Sequence, residues 1–280
     1  MTEKTDAVQS IARAALLLRT LATFEFMGAS LLQISTLTQL PKATVHRLLA
    51  ALIDQRLVER PVGTRFYRLG TDIYAFGTPV RDAFNLQAQC RPSLERLSSA
   101  TQATIYLGVR SGYDMLCLDK IAGQAHNASN LLELHDRWPL GIGSFSLALL
   151  AFLPAREIAD VIEFNQRRIS DEDTLTFEHI HASITKTRRN GYAKRTTRFA
   201  TGWAGVAAPV FDERKYPIAS LCVVAQVSTM NASTMAALAT QLKREAALIT
   251  QRVEGARLQQ QQQERWRLAV RGAKTARRPE

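Results

Sequence analysis

Apolar positions recur at helical spacing through the first part of the chain and then change period. Val8, Ile11, Ala15, Leu18, Leu21 and Ala22 fall on one stripe, which predicts a first helix over residues 8–25. Met27-Gly28 breaks it, and a short second helix is expected from about Ser30 to Leu37. After the turn "TQLP", the positions Val45, Leu48, Leu49, Leu52 and Ile53 mark a third helix. Pro41 sits in its first turn, where a missing N–H is harmless. Beyond Gln55 the period shortens, and "LVER" and "RFYRLG" read as strands joined by the turn "PVGT". Helix, helix, turn, helix, hairpin is the outline of a winged helix-turn-helix over residues 1–70.

Residues 71–99 are helical again, interrupted by Gly77 and Pro79, which suits a helical linker rather than a core element. The stretch 104–121 reads as a hairpin with Ser111-Gly112 at its turn, and 122–143 is a loop without periodicity. "SFSLALLAFLP" predicts a buried helix, and "AREIADVIEF" a second one after Pro154. A helix over 177–190 is stopped by Gly191, an apolar hairpin spans 205–227, and a long helix fills 231–254. Strands and helices mix without a βαβ rhythm, so residues 100–254 predict an α+β sensor-like domain. The remaining 255–280 is a glutamine-rich, basic tail, expected to be solvated beyond a few added helical turns.

The net charge of +11 points to a polyanionic partner. It is unevenly spread: residues 1–75 carry +3 (nine Lys/Arg, six Asp/Glu), residues 76–255 another +3, and the last twenty-five +5. Cys90, Cys117 and Cys222 are far apart and lack CxxC spacing, which predicts a reducing cytoplasm and no structural zinc. The N-terminal stripe is broken by Arg13 and Arg19, unlike an export signal, and no apolar run is long enough to span a membrane. Enzyme chemistry finds little support. His179 and His181 in "TFEHIH" are about 200° apart on a helix and cannot chelate one metal from one face, and the acidic triplet 171–173 reads as a cap. No GxSxG, phosphate-cradling glycine loop or HExxH is present. The expectation is a non-enzyme without cofactor or metal.

One helix face invites a more specific reading. With Val45, Leu48, Leu49 and Leu52 turned inward, Ala43, His46, Arg47 and Ala50 point the other way, flanked by Lys42 and Thr44. Small and polar residues let a helix lie close in a DNA groove, and basic neighbours meet phosphates. On the hairpin, Arg65 is the expected phosphate contact. The candidate DNA-binding residues are Lys42, Ala43, Thr44, His46, Arg47 and Arg65. An ordinary solvated helix face would have the same amphipathic pattern. Two alternatives stand beside the DNA-reading one: a DNA-binding regulator whose second domain only dimerises and binds no ligand, and, of a different class, a winged helix used as a protein–protein adaptor.

"LPKATVHRLLAALIDQRLVE" followed by "FYRLG" resembles the N-terminal signature of the isocitrate lyase regulator (IclR) family of bacterial transcription factors. "LALLAFLP", "RRNGYA", "GWAGVAAPVFDE" and "PIASLCVV" resemble its downstream blocks in the same order, so the resemblance covers residues 8–254. It implies a C-terminal domain similar to GAF and PAS sensors, with a pocket for small organic acids. Carried onto this chain, the effector-binding positions are Ser144, Phe145, Arg195, Gly205, Cys222 and Val224. The chain departs from the family in two places that bear on the ligand. Leu147 stands where a lysine is common, and "KRTTRF" replaces an acidic run, so Lys194, Arg195 and Arg198 stand where carboxylates are usual. A guanidinium at the pocket favours a carboxylate effector, and Phe145 could stack on an aromatic one. The resemblance further implies binding of double-stranded DNA at a pseudo-palindromic operator, as a homodimer or dimer of dimers acting as a repressor. Gln39 occupies a turn position where the family usually has glycine.

Overall fold

The computed structural model describes residues 2–24, 27–123, 132–168, 179–196 and 202–275. The chain divides into two compact units, the boundary falling between Asn85 and Leu86.

The first unit runs α1 (Thr2–Ala22), β1 (Ala29–Ser30), α2 (Leu31–Thr38), α3 (Lys42–Asp54), β2 (Val58–Glu59), β3 (Phe66–Leu69) and α4 (Thr71–Phe84). Its core gathers Leu17, Leu21, Ile34, Val45, Leu49, Leu52, Val58 and Tyr67. The expected stripe of α1 is corrected: Leu17 is wholly buried, whereas Val8 and Ile11 are 67% and 72% exposed. Among the described side chains of α1, those in the core are Ala14, Leu17, Leu18 and Leu21, so Val8 and Ile11 lie outside it. At α2, Ser30 closes a capping box: its Oγ accepts from the Gln33 N–H, and its own N–H donates to Gln33 Oε1. Gln39 ends α2 in the left-handed region at φ 55°, with its side-chain amide donating to the Thr36 carbonyl. β3 is the middle strand of a small antiparallel sheet, between β1 and β2. β1, two residues long, is below what a period-two pattern can reveal.

The second unit comprises α5 (Leu86–Thr101), β4 (Thr104–Ser111), β5 (Asp114–Ile121), β6 (Arg137–Pro139), α6 (Gly143–Leu150), α7 (Ala155–Gln166), α8 (Ile180–Asn190), β7 (Ala193–Thr196), β8 (Trp203–Phe211), β9 (Pro217–Gln226) and α9 (Ala232–Thr275). The six strands form one antiparallel sheet in the order β6-β5-β4-β9-β8-β7. Both faces are covered. Ile105, Leu107, Val206, Leu221 and Val223 pack with α5 and α9, while Tyr106, Ala207, Cys222 and Val224 pack with α6. That double burial is why β8 and β9 read as continuous apolar runs. α5 and α9 are tied by Arg96, which donates to both Glu245 oxygens at 3.0 and 2.6 Å, and by Arg252, which reaches Ser93 Oγ at 2.6 Å.

Three further expectations change. The break in the presumed 71–99 linker lies at Asn85, and Gly77 and Pro79 sit inside α4. Cys90, Leu94 and Leu97 of α5 are core residues of the second unit, so residues 86–99 belong to its packing. The 122–143 loop contains β6, which pairs with β5. α9 continues to Thr275, 21 residues beyond its expected end at 254, adding roughly 30 Å of helix. The Gln-, Arg- and Ala-rich composition is helix-favouring and contains no proline before residue 279, so the tail lacks a stop. Among the described residues no helix is long and apolar enough to cross a membrane. The architecture is α+β.

A candidate DNA-reading face and a candidate effector cleft

In the first unit, α3 buries Val45, Leu49 and Leu52 and leaves Lys42, Ala43, His46, Arg47 and Ala50 exposed, with Thr44 half-buried. The helix has no acidic residue in its first turn and no side chain capping its N-terminus. Its first amides and the positive end of its dipole therefore add to the charge of Lys42. Lys42, Arg47 and Arg65 hold no ion pair among the described residues. Arg65 lies exposed in the turn just before β3 rather than on a strand face. Arg68 is engaged differently, with its Nε 2.5 Å from Glu59 Oε1 across the hairpin. Arg60 folds back on the wing, donating to the Thr64 carbonyl at 3.1 Å and lying 5.6 Å from the centre of the Tyr67 ring. Among the described residues, α3 and the wing turn thus present Lys42, Arg47 and Arg65 as exposed cations without a carboxylate partner.

In the second unit, five of the six carried-over positions meet between α6 and the sheet. β8 and β9 pair so that Gly205 lies opposite Val224, and Ala207 opposite Cys222. Ser144 and Phe145, in the first turn of α6, press onto this face. Ser144 Oγ is 3.7 Å from Cys222 Sγ, and the Phe145 ring tilts against Tyr106 at 5.9 Å between centres. Gly205 is what lets the helix approach. A Cβ there would stand 2.3 Å from Ser144 Oγ and 3.5 Å from Cys222 Sγ. Ser144, Cys222 and Val224 are all buried. Burial pushes the Cys222 thiol up to about 12 despite the Ser144 hydrogen bond, so it is protonated at neutral pH. These five positions form a packed floor.

Arg195 lies at the rim of that floor, on β7 opposite Gly205. Its guanidinium is half-buried, and its one hydrogen bond among the described residues runs 3.4 Å to the Gly141 carbonyl. Burial alone lowers its pKa, with no carboxylate among the described residues acting against it. A desolvated, uncompensated guanidinium is suited to a bidentate carboxylate. Arg198 and the acidic triplet 171–173 lie outside the described residues. His179 is the N-cap of α8, and His181 is exposed on its first turn.

Beside Arg195 opens a cleft of about 410 Å³, bounded by α8, β7 and the start of α9. Lys186, Lys194 and Arg195 line it, facing an apolar wall that includes Leu147, Met230 and Met235. Ser183, Thr187 and Asn190 complete the α8 side. Sequence reasoning named Arg195, Lys194 and Leu147 but missed the α8 contribution. The signal was available, since 183, 186, 187 and 190 follow i, i+3, i+4, i+7 spacing on one helix face.

Two family models match the chain. The bacterial transcriptional regulator IclR C-terminal domain matches residues 79–251, and the IclR helix-turn-helix domain matches 10–61. Similar proteins include the glycerol operon regulatory protein of Streptomyces coelicolor, 27% identical over 80% of this chain and 87% of that protein. The transcriptional repressor IclR of Escherichia coli is 24% identical over 80% of this chain and 82% of its own length. Among solved structures, an IclR homologue of Microbacterium hydrocarbonoxydans complexed with 4-hydroxybenzoate superposes with TM-score 0.69 at 21% identity, covering 87% of this chain and 98% of that one. The Thermotoga maritima IclR gives TM-score 0.63 at 19% identity, covering 88% and 99% respectively.

Proposed function

The chain belongs to the bacterial IclR family of transcriptional regulators, and on that premise we propose that it is a cytoplasmic repressor whose grip on a pseudo-palindromic operator is set by a small carboxylate. The α3 face of Lys42, Ala43, Thr44, His46 and Arg47 enters the major groove, and Arg65 meets the backbone from the wing. A homodimer, or a dimer of dimers, presents two such faces to the two half-sites. The carboxylate binds at Arg195 over the floor of Ser144, Phe145, Gly205, Cys222 and Val224. The ligand acts only if it prefers one arrangement of the DNA-binding units over another. The observation that carries the reading is the exposed face of α3 and the adjoining wing turn, where Lys42, Arg47 and Arg65 hold no ion pair among the described residues. The aromatic acid in the Microbacterium homologue's structure supports a carboxylate of that class as effector.

The test is selection of bound duplexes from a random DNA pool at low and near-physiological salt. An inverted repeat enriched at both salts is expected. Binding that vanishes at the higher salt with no enriched sequence refutes the operator reading and leaves the winged helix as a protein–protein adaptor. On the selected site, Arg47→Ala should weaken binding by about 1–3 kcal/mol if it reaches a base edge. Unchanged affinity removes it from the interface.

A further inference from the structure

We infer that the cleft at the open edge of β7 takes a dianionic ligand, one anionic group held by Arg195 and the other by Lys194 and Lys186. The inference rests on the effector reading above and narrows it from a carboxylate to a ligand with two separated negative charges.

β7 is the outermost strand of the sheet, paired on one side only. Arg195 lies opposite Gly205 and its neighbour Lys194 opposite Val206, so the two side chains leave the strand toward opposite faces. In the middle of a sheet that geometry would separate them. At an edge both can turn round the strand, and both line the same cleft. Lys186 joins them from α8. No aspartate or glutamate lines the cleft among the described residues, and none of the three cations holds an ion pair there.

A ligand with a single carboxylate would satisfy the half-buried Arg195 and leave the two lysines uncompensated. A second negative charge on the ligand would pair with the lysines as well, adding a contact that a monoanion cannot make. The wall of Val227, Met230 and Met235 is apolar and adaptable, fit for a short hydrocarbon spacer between two charged ends. A single compact anion, such as phosphate, would meet Arg195 or the lysines but would not use that wall.

The experiment compares acids of equal length by titration calorimetry on the full chain at matched ionic strength: hexanedioate against hexanoate, and butanedioate against butanoate. The dianion should bind about five- to tenfold tighter than its monoanion partner, the scale of one added charge contact near a protein surface. In high salt the preference should shrink to about twofold or less. The double variant Lys186→Ala/Lys194→Ala, both sites exposed, should lose the preference while keeping its affinity for the monoanions. Equal binding of dianion and monoanion by the unmodified protein, or a preference that survives in the double variant, overturns the inference. Inorganic phosphate binding as tightly as hexanedioate overturns the two-ended geometry. Arg195→Ala separates the layers: it should weaken both series together, and if it leaves monoanion affinity unchanged, the effector reading fails at its anchor irrespective of the lysines.

Discussion

Replacing Gly205 by alanine should destabilise the second unit by about 1–3 kcal/mol, the usual cost of forcing an extra methyl into a close-packed contact. The new Cβ would stand 2.3 Å from Ser144 Oγ, well inside van der Waals contact, with the backbone of β8 held between β7 and β9. Neither side can yield cheaply. Ser144 is fixed in the first turn of α6, and seven of that helix's eight residues are buried. Relief comes only by shifting α6 off the sheet or by turning the serine into its neighbours. For a unit of this size, 1 kcal/mol corresponds to about 2–4 °C in Tm, so a drop of roughly 2–12 °C is expected. The cause can be isolated by a double-mutant cycle followed by thermal unfolding. Ser144→Ala removes the oxygen that clashes and leaves the serine Cβ at 3.6 Å, an ordinary contact. By itself it should cost little, since among the described residues that hydroxyl's one hydrogen bond is the 3.7 Å contact to Cys222 Sγ. Gly205→Ala in the Ser144→Ala background should then be nearly neutral, with a coupling of about 1–2 kcal/mol between the sites. An equal loss from Gly205→Ala in both backgrounds would refute the explanation, because the penalty would not arise from the approach of α6. Carboxylate affinity should follow the same pattern if the α6 floor supports the ligand.

Cys90, Cys117 and Cys222 are buried and unpaired, and burial pushes each thiol up to about 12. An aromatic disulfide reagent should therefore find no fast-reacting thiol in the folded protein at neutral pH and three after denaturation; a stoichiometric fast phase would contradict the packing. Gln39→Gly should stabilise the first unit by about 0.5–1 kcal/mol and so raise its Tm, because glycine tolerates the left-handed φ of 55° without the steric penalty; the lost side-chain bond to Thr36 is exposed and offsets little. A lower Tm would mean that the amide bond, not the backbone, governs this turn. At Glu245, burial disfavours the charge, but hydrogen bonds from Arg96 and Ser93 and the charges of Arg96 and Arg252 outweigh it and hold the pKa below the usual carboxylate value. A depressed carboxylate contributes stability above its unfolded pKa and loses it as pH falls through the folded one. The Tm advantage of the unmodified protein over Glu245→Gln should thus be full at pH 7 and fade in acid as the pH falls through and below the ordinary carboxylate range; a pH-independent difference would place the effect in packing instead.

Much of this molecule is legible from one-dimensional pattern because local rules and tertiary demands agree. The outward and inward faces of α3 follow from helical spacing alone, as do Pro41 at its start and Gly191 at the end of α8, where φ is 72°. The continuous apolar runs of β8 and β9 announce a sheet covered on both sides. The ordered family blocks located the floor residues, though their spacing said nothing of how closely Ser144 approaches Gly205. Periodicity misled at α1, where Val8 and Ile11 continue the stripe and yet are exposed. It misled again at residues 86–99, since a helix that docks on a sheet and one that spans two domains share the same pattern. Whether Cys90, Leu94 and Leu97 are buried depends on the strands beneath them, which are distant in sequence. The cleft is a tertiary product in the same sense. Lys186 and Met235 lie 49 positions apart, on different helices, and meet beside Lys194 only because β7 is the last strand of its sheet. Element type and facing are set by neighbours three or four residues away. The pairing order of strands, and with it the collection of cations at an open edge, is settled by which long-range packing buries the most apolar surface.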